Sequence, residues 1–502
     1  MDLTTSARLL GRSASIGQHR GSSQPLQGYE GGKPERGALG SLASMNSVTS
    51  TGRAALAVLT FFTLLAGDFW RNLIGWYGFA ALALALVITL ALLITRDRGW
   101  RQLTPRRVPL ALAAFLGLAV VSIAWSFYPG ATLLGLVAQA GPVVAAIFFA
   151  TSMTWPRILT ALGRATRWIL GLSLLFEFIV AAFVRHPIIP FWVDYGDGKL
   201  PNAFFWSQAD LFTGAPIQGI VGNRNLLAFI AVIALVCLVL ELASRSLGRR
   251  RAYAWIAVAV ATLALTRSAT AIAVLVVVAV AAGILTLMRR SNARQRRVVL
   301  ASSAVGVIAA AALVTVFSSH ILRLFGKSSD LTGRFDIWNA VTALAQQRPV
   351  FGWGWVSYWV PWVEPFTHLA ERKGVTYLQA HNAWLDVWLQ LGIVGLLLFV
   401  GAVVGACWRA WWFAVDPQLD ARGTPVPFVP VTLFPALILT LLVAQSFVES
   451  RMLVEGGFAL LALMALKTRR DVGATGIDLT VPDGGPVEST KPVMLRRVGF
   501  SR

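Results

Sequence analysis

Charge is scarce in this chain of 502 residues. Only 13% are Asp, Glu, Lys or Arg, where a soluble domain carries about a quarter. Acid is the scarcer sign, with 23 carboxylates against 44 basic side chains. The two cysteines, Cys237 and Cys407, both fall inside apolar stretches, which argues against a disulfide scaffold and against a zinc site. The five histidines form no pair at metal-ligand spacing, and no G-x-x-x-x-G-K-[ST] phosphate loop occurs. Gly352–Trp353–Gly354 reads as a turn, because no strand–helix unit surrounds it. No repeat of fixed short period is present. What the chain has is apolar length: 56% hydrophobic residues and a mean hydropathy of +0.66. That composition describes an all-α integral membrane protein with many spans. The net charge of +21 then belongs to loops and tails, where it sets orientation and meets anionic headgroups. It is no nucleic-acid signal.

About twelve spans can be drawn, over 54–69, 74–95, 108–127, 130–150, 166–184, 220–243, 252–267, 268–288, 298–317, 384–407, 428–448 and 455–467. The connections that must share one side are rich in base. They carry Arg96 to Arg107, then Arg157, Arg164 and Arg167, then Arg245 and Arg249 to Arg251, then Arg289 to Arg297, then Arg409, then Lys467 to Arg470. The positive-inside bias makes that side cytoplasmic and puts both termini there. Residues 1–53 and 468–502 are polar and read as disordered tails, so 54–467 is the membrane domain. Two connections on the opposite face are long, about 185–219 and 318–383. The second is expected to hold a short amphipathic helix from Arg334 to about Arg348, closed by Pro349. Trp353, Trp355, Trp359 and Trp362 come after it and suit a loop lying at the headgroup layer.

In this threading Arg224, Arg267, Arg334, His381 and Glu449 all reach the base-poor face. Arginine there runs against the usual bias, and converging arginines with one histidine suit an anion. Each residue also has a plainer reading. Arg224, in GNRNLLA beside Asn225, either cradles a phosphate at a helix start or reaches to lipid headgroups. Arg267, at a tight turn, either joins that site or anchors in lipid. Arg334, in LTGRFDIW, either shares an anion with the start of a helix capped by Thr332 or is neutralised by Asp336. His381, in AHNAWLD, either activates a hydroxyl or caps a span with Asn382. Glu449 either orients His381 or pairs with Arg451. One carboxylate without a second beside it does not make a two-carboxylate glycosidase.

GNRNLLA, TGRFDIWNAV…RPVFGWGW, AHNAWLDVWLQLGIVGL and the ES of FVESRML occur in this order. In this the chain resembles the O-antigen ligase and polymerase superfamily, nearest its exopolysaccharide-polymerising, ExoQ-like branch, over about 74–467. One departure stands out: where the family often has Ser-Arg-Thr, this chain has Ser268–Ala269–Thr270, with Arg267 one place before. The resemblance implies a glycosyltransferase of the bacterial plasma membrane with its site facing outward. The implied donor is a glycan on polyprenyl pyrophosphate, and the acceptor is another glycan or a lipid-linked core. On that reading Arg334 and His381 are the catalytic pair, and Arg224, Asn225, Arg267, Asn382 and Glu449 bind the pyrophosphate and glycan. No metal or other cofactor and no nucleic acid is expected. Membrane lipids and other polysaccharide-assembly proteins are further candidate partners. The alternative from another class is a transporter or flippase for an anionic solute or a lipid-linked glycan.

Overall fold

The computed structural model describes residues 36–193, 200–201, 204–316, 330–372 and 375–479. The chain divides into two units, Met1–Thr51 and Gly52–Arg502, and the helical bundle belongs to the second. The expected tails fall largely outside the described residues, at 1–35 and 480–502. So do parts of both long connections.

Thirteen α-helices occur among the described residues. In chain order they are α1 (Arg36–Leu65), α2 (Gly67–Arg96), α3 (Leu110–Val121), α4 (Pro129–Ser152), α5 (Trp155–Ile179), α6 (Arg224–Ala243), α7 (Arg249–Thr266), α8 (Ala269–Arg290), α9 (Ala293–Val316), α10 (Asp330–Gln346), α11 (Ala383–Val415), α12 (Phe434–Ser446) and α13 (Glu455–Asp471). A two-residue hairpin, β1 (Glu371–Arg372) with β2 (Val375–Thr376), is the one small sheet among them. Six helical stretches are long and apolar enough to cross a bilayer, and three shorter apolar ones accompany them. This is the architecture of a multi-pass helical membrane protein. Helices α7, α9 and α13 overlap three further expected spans in sequence and are not among those nine. Each has a basic end, in RRR, RQRR and KTRR respectively, which shortens its apolar length.

The centre of the bundle is α6, apolar on every side, as a helix packed all round must be. It packs on α5, α7, α8 and α12. At the end of α6 away from Arg224, Arg167 of α5 and Glu241 form a buried ion pair. That pair corrects one boundary. Arg157, Arg164 and Arg167 belong to α5, which starts at Trp155 and not at 166. The arginine inside the helix is tolerated because a carboxylate of the neighbouring helix neutralises it. Lys467 likewise belongs to no loop. It is buried in α13, 3.3 Å from Asp471 one turn on.

Helix α11 is interrupted at Gly392, whose φ of 63° and ψ of −166° are non-helical. The connection after α10 fills the gap. Ile393 N donates to Pro349 O (2.8 Å) and Val394 N to Val350 O (3.2 Å), while Trp353 N and Gly354 N donate to the carbonyls of Leu389 and Gln390. The Gln390 side chain accepts from Val356 N (2.9 Å) and Ser357 N (3.1 Å) and donates to Ser357 O. A membrane helix cannot leave freed backbone groups unpaired, and here another stretch of main chain pairs them. The approach is so close that a Cβ on Gly392 would lie 2.2 Å from the Val350 carbonyl. This packing corrects the reading of the tryptophans as interface anchors. Trp355 and Trp359 are fully buried, and of the four only Trp362 is strongly exposed.

Candidate functional site

Three capped helix starts place the candidate residues. Asn223 caps α6, its Oδ1 accepting from Asn225 N (3.0 Å) and Leu226 N (3.1 Å). Ser268 caps α8 after Arg267 turns the chain in the left-handed region. Asn382 caps α11, accepting from Trp384 N (3.0 Å) and Leu385 N (3.3 Å). A side chain of this type satisfies N–H groups that the first turn leaves free. The α5–α6 connection is tied down by Glu177, whose carboxylate accepts from Gln218 N (2.9 Å), Gly219 N (2.7 Å) and the Ser207 hydroxyl (2.7 Å).

Arg334 lies in α10, which begins at Asp330. Thr332 therefore sits inside the helix, not at its cap. The guanidinium of Arg334 is 3.0 Å from Oε1 of Glu449, in the connection after α12. Glu449 is the countercharge that the plainer reading assigned to Asp336. The other oxygen, Oε2, is 2.8 Å from Nδ1 of His381. An ionised carboxylate only accepts, so Nδ1 carries the proton and Nε2 of a neutral ring presents its lone pair. Glu449 is buried, and Arg334 and His381 are each 17% exposed at the side chain, enough to meet a ligand. Among the described residues no ion pair joins Glu449 to Arg451. Burial pushes the Glu449 carboxyl up, but His381, by its charge when the ring is an imidazolium and by its hydrogen bond, and then Arg334 and Arg451, outweigh it and hold the carboxyl below its ordinary value.

Glu449 also lines a narrow crevice between α6, α8 and α12, about 10 Å³ in volume and so with room for about one water. Asn225, Ser268, Thr270 and Gln445 give it polar walls, and Phe229, Val232 and Val274 line the rest. Ser268 Oγ donates to Asn225 Oδ1 (3.1 Å). The structure thus brings together Arg334, His381, Glu449 and Asn225, with Asn382 joined through Ser450, whose Oγ accepts from its backbone N–H (3.1 Å). Neither Arg334 and His381, which Glu449 holds, nor Arg224 and Arg267 line the crevice itself. Arg224 is half-buried at the first position of α6, and Arg267 is exposed, its guanidinium beside Gly214.

Sequence reasoning did not single out Asp386, Gln445 or Ser450 as individual residues. Asp386 had a signal: it stands five residues after His381, just inside the helix that Asn382 caps. Among the described residues no group of three His, Cys, Asp or Glu side chains is placed to hold a metal ion.

The stretch from α7 into α11 carries a family likeness. Residues 253–400 match the O-antigen ligase family. The O-antigen ligase match contains Arg267, Ser268, Arg334, His381, Asn382 and Asp386, and leaves Arg224, Asn225 and Glu449 outside. A stretch of 123 residues is 30% identical to the exopolysaccharide production protein ExoQ of Rhizobium meliloti (strain 1021). That likeness covers 23% of this chain and 27% of ExoQ, so the chain matches about a quarter of its relative's length.

Proposed function

We propose that this protein is a membrane glycosyltransferase that polymerises or ligates polyprenyl-pyrophosphate-linked oligosaccharides for a cell-surface polysaccharide or exopolysaccharide. The observation that carries the reading is the bridge made by Glu449, a residue of the crevice wall, which holds His381 by Nδ1 and Arg334 by its guanidinium. The oxygen of an acceptor hydroxyl forms a bond to the anomeric carbon of the donor sugar. The bond from that carbon to the phosphate oxygen breaks, and its electron pair leaves on the pyrophosphate. The hydroxyl proton passes to Nε2 of His381, and Glu449 stabilises the imidazolium. Arg334 faces the charge that grows on the leaving group, and Asn225 and Asn382 supply hydrogen bonds to the glycan or phosphate. Arg224 and Arg267 act further out, on the approaching pyrophosphate. Arginine provides the charge stabilisation, so the step needs no metal.

The twelve-span threading belongs to this proposal, with both termini cytoplasmic and the crevice open to the outer leaflet. In sealed proteoliposomes loaded with a labelled polyprenyl-pyrophosphate oligosaccharide and an acceptor, the wild type releases free polyprenyl pyrophosphate and His381→Ala releases it only at a small residual rate. Movement of the intact lipid-linked glycan across the bilayer, with no cleavage by either protein, would instead make it a flippase.

A further inference from the structure

His381 occupies the left-handed backbone region, with φ of 50°. A residue with a Cβ stays there only when its surroundings over-determine it. The surroundings here are specific. The N–H before the histidine, on Ala380, donates to Asp386 Oδ2 at 3.0 Å. The N–H after it, on Asn382, donates to Ser450 Oγ at 3.1 Å. Ser450 then donates its own proton to the same oxygen of Asp386, which closes the ring of contacts. The Ala380 carbonyl is taken by Trp338 Nε1 at 3.0 Å. Asp386 and Ser450 are both buried, at 1% and 3% exposure, so neither reaches a substrate. Asp386 lies in the first turn of α11, where a carboxylate suits the positive helix end. Ser450 is the residue directly after Glu449. One short connection therefore holds the histidine twice, by its ring through Glu449 and by its backbone through Ser450.

We infer that Asp386 and Ser450 are positioning residues that fix the main chain on both sides of His381 and so set the reach of its ring to Glu449 and to the acceptor hydroxyl. The inference rests on the reading of His381 as the base. A group displaced by about 1 Å from its working geometry loses about a hundredfold in rate, and that is the size of effect the clamp predicts.

The test uses the full chain in proteoliposomes with the lipid-linked donor, and checks each variant for membrane content and melting temperature. Ser450→Ala is expected to lower kcat about a hundredfold with the donor KM unchanged. Ser450→Thr, which keeps the hydroxyl, restores most of the rate. Asp386→Asn, which keeps one acceptor oxygen, falls between. In the His381→Ala background, where binding and charge stabilisation still leave residual turnover, Ser450→Ala is expected to add nothing. A wild-type kcat for Ser450→Ala, or a further loss of the same size in the His381→Ala background, would overturn the positioning role. Full turnover by His381→Ala alone would be a different failure, because it removes the base on which the clamp acts.

Discussion

Glu449 and His381 stand 68 residues apart in sequence, and Oε2 of the first lies 2.8 Å from Nδ1 of the second. The contact fixes which ring nitrogen is protonated. Glu449→Gln keeps the size of the side chain but can turn an amide N–H toward Nδ1, which moves the proton to Nε2 and removes the base. Turnover is expected to fall on the order of 10³–10⁴-fold, the scale of a wrong-tautomer histidine, with the protein still in the membrane. A loss below tenfold in a steady-state assay would mean that Glu449 does not set the tautomer.

On the proposed mechanism Arg334 has two tasks: one nitrogen holds Glu449, and the guanidinium also meets the anionic leaving group. Lysine can serve one of these tasks at a time. Arg334→Lys is expected to raise the barrier by about 3–4 kcal/mol, the value of one preorganised donor at a developing negative charge. The measured kcat would then drop about 10²–10³-fold. Unchanged kcat would remove Arg334 from the mechanism.

The lowered carboxyl of Glu449 has a stability consequence with a definite sign. A group that is more acidic folded than unfolded stabilises the fold above its unfolded value and loses that contribution as pH falls through its folded value. At pH 7 wild type should therefore melt higher than Glu449→Gln. The gap should shrink as pH drops below about 4.3, the ordinary value for glutamate. Thermal unfolding in detergent across this range checks it, and a gap independent of pH would contradict the charge pairing.

Gly392 is a position that only glycine fits. Its left-handed φ and the 2.2 Å approach of a would-be Cβ to Val350 leave no room for alanine. Gly392→Ala is expected to cost at least about 1–3 kcal/mol from backbone strain alone, before the clash is counted. A lowered melting temperature in detergent would show it, and a wild-type value would mean that the break is not required.

Much of this site was legible in the sequence because its residues sit at helix starts, and helix starts are announced by Asn, Ser and Gly beside an apolar run. Asn223, Ser268 and Asn382 mark three of them. The pairing of Arg334 and His381 with Glu449 was harder, since nothing local distinguishes Glu449 from a partner of Arg451; only the fold chooses between them. The start of α5 was misplaced because Arg164 and Arg167 look like loop residues until Glu241 of another helix appears beside Arg167. The tryptophans after Pro349 pattern like an interface belt. Their burial depends on the gap at Gly392, and a single glycine in an apolar run does not disclose a gap. Arg224 and Arg267 converge with the others in a linear threading, which carries no lateral distances.

Glycan chain length tests the proposed chemistry most directly. Purified protein would be reconstituted in proteoliposomes with one polyprenyl-pyrophosphate oligosaccharide as both donor and acceptor, with wild type beside His381→Ala, and the products separated by size. A ladder of longer lipid-linked chains is expected with the wild type, and unextended oligosaccharide with the variant; for a ligase, the transfer appears on addition of a separate acceptor. Equal product from both proteins would contradict the assignment of His381, and no glycosyl transfer with any acceptor would contradict the enzyme itself.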